Sequence, residues 1–146
     1  MSYPIFLTLH LFGALMFVGT VFFEVLILES VRKHLPTEVM RQVERAIGTR
    51  ARTLMPWVLL VLYGAGIGMA WQHRAALAHP FASSFSILLT LKILLALSVL
   101  GHFITAMVWL KRGLLRAKRS RFIHLSIFFH MIAIVLLAKG MFYLHW

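Results

Sequence analysis

Three histidines and two lysines lie inside stretches that otherwise read as hydrocarbon. His10 falls in "LTLHLFGALMFVG", Lys92 and His102 in "LLTLKILLALSVLGHF", and His130 and Lys139 in "HLSIFFHMIAIVLLAKGMF". An ionisable side chain at bilayer depth is costly unless it is paired, neutralised or turned to a polar cavity, so each of the five is a functional candidate. Neutral imidazole is a good iron ligand, and two imidazoles held at one level on different helices grip a planar iron porphyrin through both axial positions. Haem b is the cofactor this chemistry points to. Filling both axial sites favours outer-sphere electron transfer over oxygen activation.

The elements that must position these groups follow from composition. Of 146 residues, 61% are hydrophobic and 13% charged, the profile of an integral membrane protein. Four apolar runs, at about 3–28, 53–71, 85–110 and 122–143, each supply the ~20 residues needed to cross a bilayer as a helix. Unpaired strands cannot span lipid, so the expected fold class is all-α, an integral membrane four-helix bundle in a single domain. Between the first two runs, residues 29–52 hold Arg32, Lys33, Arg41, Arg45, Arg50 and Arg52, and "KRGLLRAKRSR" before the last run is as basic. The loop between runs two and three has only Arg74, and neither terminus carries a lysine or arginine. The positive-inside rule then puts both basic loops in the cytoplasm and both termini outside, periplasmic in a bacterial inner membrane. The formal net charge of +11 is accounted for by those loops, so nucleic acid is not an expected partner and the lipid bilayer is.

Within 29–52, Pro36 and Thr37 introduce Val39, Val43 and Ile47 at helical spacing, which predicts a short amphipathic interfacial helix. Gly64 and Gly68 form a GxxxG pair suited to close helix packing. The N-terminal run lacks a basic leader and a small-residue cleavage site, so it reads as a retained span. With no cysteine, thiolate catalysis, thiolate metal sites and cysteine-held iron–sulfur clusters are excluded.

At ~1.5 Å per residue, position converts to depth. His102 and His130 each fall roughly 13 Å from the cytoplasmic end of their spans and are level, while His10, Lys92 and Lys139 form a second layer in the outer half. Gly101 and Thr105 beside His102, Ser126 and Ala133 beside His130, and Gly13 and Ala14 near His10 leave room for a macrocycle. The lysines would neutralise haem propionates, or one would snorkel outward. Taken singly, each histidine could instead hydrogen-bond a neighbouring helix. His124, near the cytoplasmic interface, is a further ligand or a contact for a headgroup or Glu24. Glu24 lies nearly four turns after His10 on the same face.

Taken in order, "LTLHLFGALMFVG", "RARTLMPWVLLVLYGAGIGMAW", "LLTLKILLALSVLGHF" and "RFIHLSIFFHMIAIVLLAKGMF" resemble the superfamily that joins CopD-type copper-resistance membrane domains to HemJ-type protoporphyrinogen oxidases. The likeness covers all four spans. It implies roles for His10, Arg52 (or Arg50), Lys92, His102 and Lys139, with His10 a haem ligand as in the HemJ type. Where HemJ proteins carry Asn-Glu-x-Pro at the start of span four, this chain reads "HLSIFFHM", and His130 is an addition that suggests a bis-imidazole cytochrome.

The leading functional expectation is a haem b membrane protein passing electrons between its haem and a quinone, a small oxidant or a respiratory-complex partner. The alternatives are a protoporphyrinogen IX oxidase, which would make the chain a membrane oxidoreductase, and a CopD-like copper transport or resistance protein. A copper path would draw on Met1, Met69, Met141, His73, His79 and His145 at the outer face, although no Met-x-x-Met or His-x-His spacing occurs there.

Overall fold

The computed structural model describes residues 2–144, and every regular element among them is helical. The chain divides into two compact units, Met1–Gln72 and His73–Trp146, each an antiparallel hairpin of two long helices. Four helices are long and apolar enough to cross a membrane. The expected all-α class with four spans is therefore present. Large apolar side chains such as Leu15, Trp57, Ile67 and Phe122 stand fully outward on their helices, as they do where the solvent is lipid.

In the first hairpin, α1 (Ser2–Phe22) runs through a π-helical segment, Phe23–Leu28, into a short α2 (Glu29–Val31). The π turn is marked by the Glu29 amide, which donates to the Glu24 carbonyl five residues back. This helix ends after Val31 in a turn where the Lys33 and His34 amides bond the Ser30 and Val31 carbonyls, and the Pro36 carbonyl then accepts the first bond of the next helix, from the Met40 amide. Arg32 in the turn pairs with Glu29 at 3.3 Å and also with Glu44 on α3, tying the two helices together at this end.

That next helix, α3 (Thr37–Gln72), corrects one expectation. The amphipathic stretch is not a separate interfacial helix but the first part of a single 36-residue helix that continues into span two. At 1.5 Å per residue it is about 54 Å long, so roughly half of it exceeds a ~30 Å hydrocarbon core. Its basic residues, Arg41, Arg45, Arg50 and Arg52, all lie in that first half. Pro56 sits inside α3, where it removes an amide that would otherwise bond the Arg52 carbonyl, and the helix continues past it.

α1 and α3 pack through small residues. A Cβ on Gly13 would meet the Cβ and backbone of Leu62 at 3.0–3.2 Å, and one on Gly68 would strike the Phe6 ring. Gly64, by contrast, faces open space. The GxxxG expectation is thus half right: Gly68 makes a contact, Gly64 does not, and Gly13 and Gly66 share the work. Phe17, Val21, Met55, Val58, Leu59 and Ala65 fill the buried core of this hairpin.

The second hairpin begins with the short α4 (Arg74–Ala78), followed by α5 (Ser84–Lys111) and α6 (Ala117–Tyr143). Ser83 caps α5 by accepting from the Ser86 amide at 3.2 Å. Gly113 makes the turn after α5 with φ +66°, a left-handed position that glycine occupies without penalty. Leu88, Leu89 and Met141 form a buried cluster with Leu77, Phe85, Ile93 and Leu137 around it. Leu88 approaches Gly140, and Phe85 lies 6.0 Å from Phe142, which sets one antiparallel register along the pair. Val99, at 1% exposure, is the most deeply buried side chain among the described residues.

Candidate functional site

That register brings His102 and His130 together. Their ring centroids are 5.3 Å apart, with planes inclined at 58°. The matched depth expected for them is found. Their mode of contact is a closed hydrogen-bonded ring that includes two serines. The His102 Nδ1–H donates to the Ser98 carbonyl at 2.8 Å, four residues back on α5, and the His130 Nδ1–H donates to the Ser126 carbonyl at 2.8 Å, four residues back on α6. A nitrogen that donates to a carbonyl must carry the proton, so in the neutral imidazole the other nitrogen, Nε2, is an acceptor. Each Nε2 receives the hydroxyl of the serine on the opposite helix: Ser126 Oγ to His102 and Ser98 Oγ to His130, both at 3.0 Å.

Two Ser-x-x-x-His pairs, Ser98/His102 and Ser126/His130, thus interlock on antiparallel helices with every polar atom of the ring satisfied. All four residues are half-buried. Ser126 had stood out in the sequence only as a small neighbour of His130, and Ser98 had not stood out at all. The repeated four-residue spacing was the signal, because a residue at i+4 sits one turn above its partner on the same helical face.

This geometry does not fit a macrocycle held between His102 and His130. Both Nε2 lone pairs are already engaged by serines. Helices in direct contact also lie about 8–10 Å apart, too close for two imidazoles end to end with a porphyrin between them. In this structure the two imidazoles form a helix-to-helix clasp in place of the expected iron clamp. Removing either serine hydroxyl leaves an imidazole acceptor orphaned inside the helix pair. Ser98→Ala and Ser126→Ala are each expected to cost about 0.5–1.5 kcal/mol. Their combined effect should fall short of the sum, because both belong to one network, and a double-mutant cycle of unfolding in detergent checks this.

His10 is held differently. Its Nδ1 lies 3.0 Å from the Leu62 carbonyl of α3. That bond fixes the tautomer with the proton on Nδ1 and the lone pair on Nε2, the arrangement by which proteins orient an imidazole for a metal. Gly66 makes the approach feasible: a Cβ there would lie 3.3 Å from the His10 Cε1 and Nδ1. Gly66 is one turn beyond Leu62, so the absence of its side chain clears the path to the Leu62 carbonyl. On donor chemistry His10 fits an axial iron ligand.

The other expected site residues are not gathered at either place. Arg52 is exposed and donates to Thr49 Oγ1 at 3.1 Å, ten residues before Leu62, or roughly 15 Å along the helix from the carbonyl that holds His10. Arg50 is likewise exposed. In the second hairpin the register puts Lys92 and Lys139 within about one helical turn of one level, Lys92 half-buried and Lys139 exposed. His124 is half-buried on α6 and outside the serine–histidine ring, and Glu24 lies in the π-helical segment. Of the groups considered for copper, Met141 is packed into the core beside Leu88 and Leu89, and His73 stacks 5.6 Å from Phe85. Met1 and His145 lie outside the described residues. Among the described residues, no group of three or more His, Asp or Glu side chains is placed to hold a metal ion.

An apolar groove of about 370 Å³ in the first hairpin is lined by Met16, Gly19, Thr20, Phe23, Leu54 and Met55. It contains no ionisable side chain and does not include His10. No family model, curated protein or solved structure matches the chain.

Proposed function

We propose that the chain is a multi-pass haem b protein of a bacterial cytoplasmic membrane, with His10 as an axial ligand and electron transfer as its role. One observation carries this reading: the His10 Nδ1–H bond to the Leu62 carbonyl, cleared by Gly66, which orients the ring and puts the lone pair on Nε2, the tautomer that an iron-ligating imidazole takes. The order of residues shared with the CopD and HemJ superfamily agrees with it, since His10 is the histidine that the resemblance assigns to haem. A bound haem would supply one-electron redox chemistry, while this chain's own residues fix the imidazole and set its tautomer. The basic loops then face the cytoplasm and both termini the periplasm. Electrons would pass to or from a membrane quinone, a small oxidant or a respiratory partner.

Electron transfer stands ahead of porphyrinogen oxidation because the chain lacks the Asn-Glu-x-Pro sequence that the oxidases carry. It stands ahead of copper transport because the sequence has no Met-x-x-Met or His-x-His spacing. The test is an optical and pyridine-haemochrome spectrum of protein purified after haem-replete expression. A Soret band with about one haem b per chain is expected, and its complete absence overturns the proposal.

A further inference from the structure

We propose that Ser98, His102, Ser126 and His130 form a binding site for a single proton within the membrane span. The neutral ring is complete: two Nδ1–H groups donate to the Ser98 and Ser126 carbonyls, and two serine hydroxyls donate to the two Nε2 atoms. A proton added at the His130 Nε2 turns that nitrogen from acceptor to donor. The Ser98 oxygen then accepts from it, and the Ser98 hydroxyl proton swings to the carbonyl of Leu94, one turn back on α5. Hydroxyls on these helices already use that geometry, since Thr105 donates to the Gly101 carbonyl, Thr8 to Pro4 and Thr20 to Met16, each at 2.8 Å. The same exchange at His102 uses Ser126 and the Phe122 carbonyl.

The protonated ring therefore keeps a partner for every donor, and no helix contact needs to break. The imidazolium spreads its charge over two N–H groups, each ending on an oxygen. Uptake stops at one proton because the second imidazole lies 5.3 Å away, where a like charge in an apolar setting is opposed. Across the hairpin the two imidazoles are the ionisable groups that face one another. The others on α5 and α6 nearest the ring are His124 and Arg121, two and five residues before Ser126, Lys92, six before Ser98, and Lys139, nine after His130. Here each serine oxygen can reverse its role, and that is what lets the ring hold a proton.

The experiment counts protons taken up by protein in lipid nanodiscs as the pH is lowered from about 9 to about 4, the range that brackets histidine titration. It compares the wild type with His102→Gln, His130→Gln and the double variant. The wild type and each single variant are expected to take up one proton more than the double variant. A difference of two for the wild type, or of none, overturns the proposal. Side-chain ¹⁵N spectra of histidine-labelled wild-type protein give a second reading that needs no variant to fold. One imidazolium shared by the His102–His130 pair supports the site, and two neutral rings throughout, or two imidazolium rings at once, refute it.

Discussion

Replacing His10 with alanine is expected to abolish haem retention, whereas His102→Ala and His130→Ala should leave the reduced haem spectrum in place. The contrast follows from how each imidazole is held. In His102 and His130 the Nε2 atom accepts a serine hydroxyl across the second hairpin. In His10 the ring is anchored through Nδ1 to the Leu62 carbonyl, which fixes the tautomer that an iron-ligating imidazole takes. Removing an axial imidazole deletes a direct metal bond, so His10→Ala protein purified after haem-replete expression should keep less than about a tenth of the wild-type haem. Reduced-minus-oxidised difference spectra of the three variants at matched protein concentration measure this. Loss of the haem signal in His130→Ala with retention in His10→Ala would reverse the assignment and return the iron to the second hairpin. Gly66→Leu offers an independent check, because a side chain there pushes the imidazole from the carbonyl while leaving His10 itself intact.

Much of this architecture was legible in the sequence. The four spans follow from length and hydrophobicity alone, since a bilayer sets both quantities and little else competes with them. The level match of His102 and His130 was legible for the same reason: depth is a count of residues from the end of a helix. What the pair does at that level was not. Depth fixes height but not rotation about the helix axis, and only rotation and register decide whether an imidazole meets a porphyrin or a serine. The continuity of α3 was hidden by a shared period, because the amphipathic stretch and the apolar span are both helical and no proline separates Thr37 from Met55. Pro56 then falls inside the helix, where sequence reasoning expects a break or a kink. Glycines were recognised as packing residues, but a motif names a spacing and not a face. Gly64 points to open space, while Gly66 and Gly68 meet His10 and Phe6.

The second large effect is expected at Gly13, where α1 lies against the backbone of α3. A Cβ built there would lie 3.0 Å from the Leu62 Cβ, 3.1 Å from its Cα and 3.2 Å from its amide nitrogen. Backbone atoms cannot rotate out of the way as a side-chain tip can, so a larger residue must separate the helices. Gly13→Leu is therefore expected to destabilise the first hairpin by about 1–3 kcal/mol, the usual range for overpacking a close contact. Leu62 also supplies the carbonyl that holds His10. The same substitution should loosen the imidazole, so haem content is expected to fall together with stability. Gly64→Ala and Gly101→Ala provide the contrast, since nothing lies within 4 Å of a Cβ at either position. Helix propensity alone then predicts no loss and up to about 1 kcal/mol of gain. Unfolding midpoints of all three variants in mixed detergent, read beside their haem absorbance, test both halves of the argument. An unchanged midpoint for Gly13→Leu would mean that α1 and α3 do not pack through Leu62, and the orientation inferred for His10 would lose its support with it.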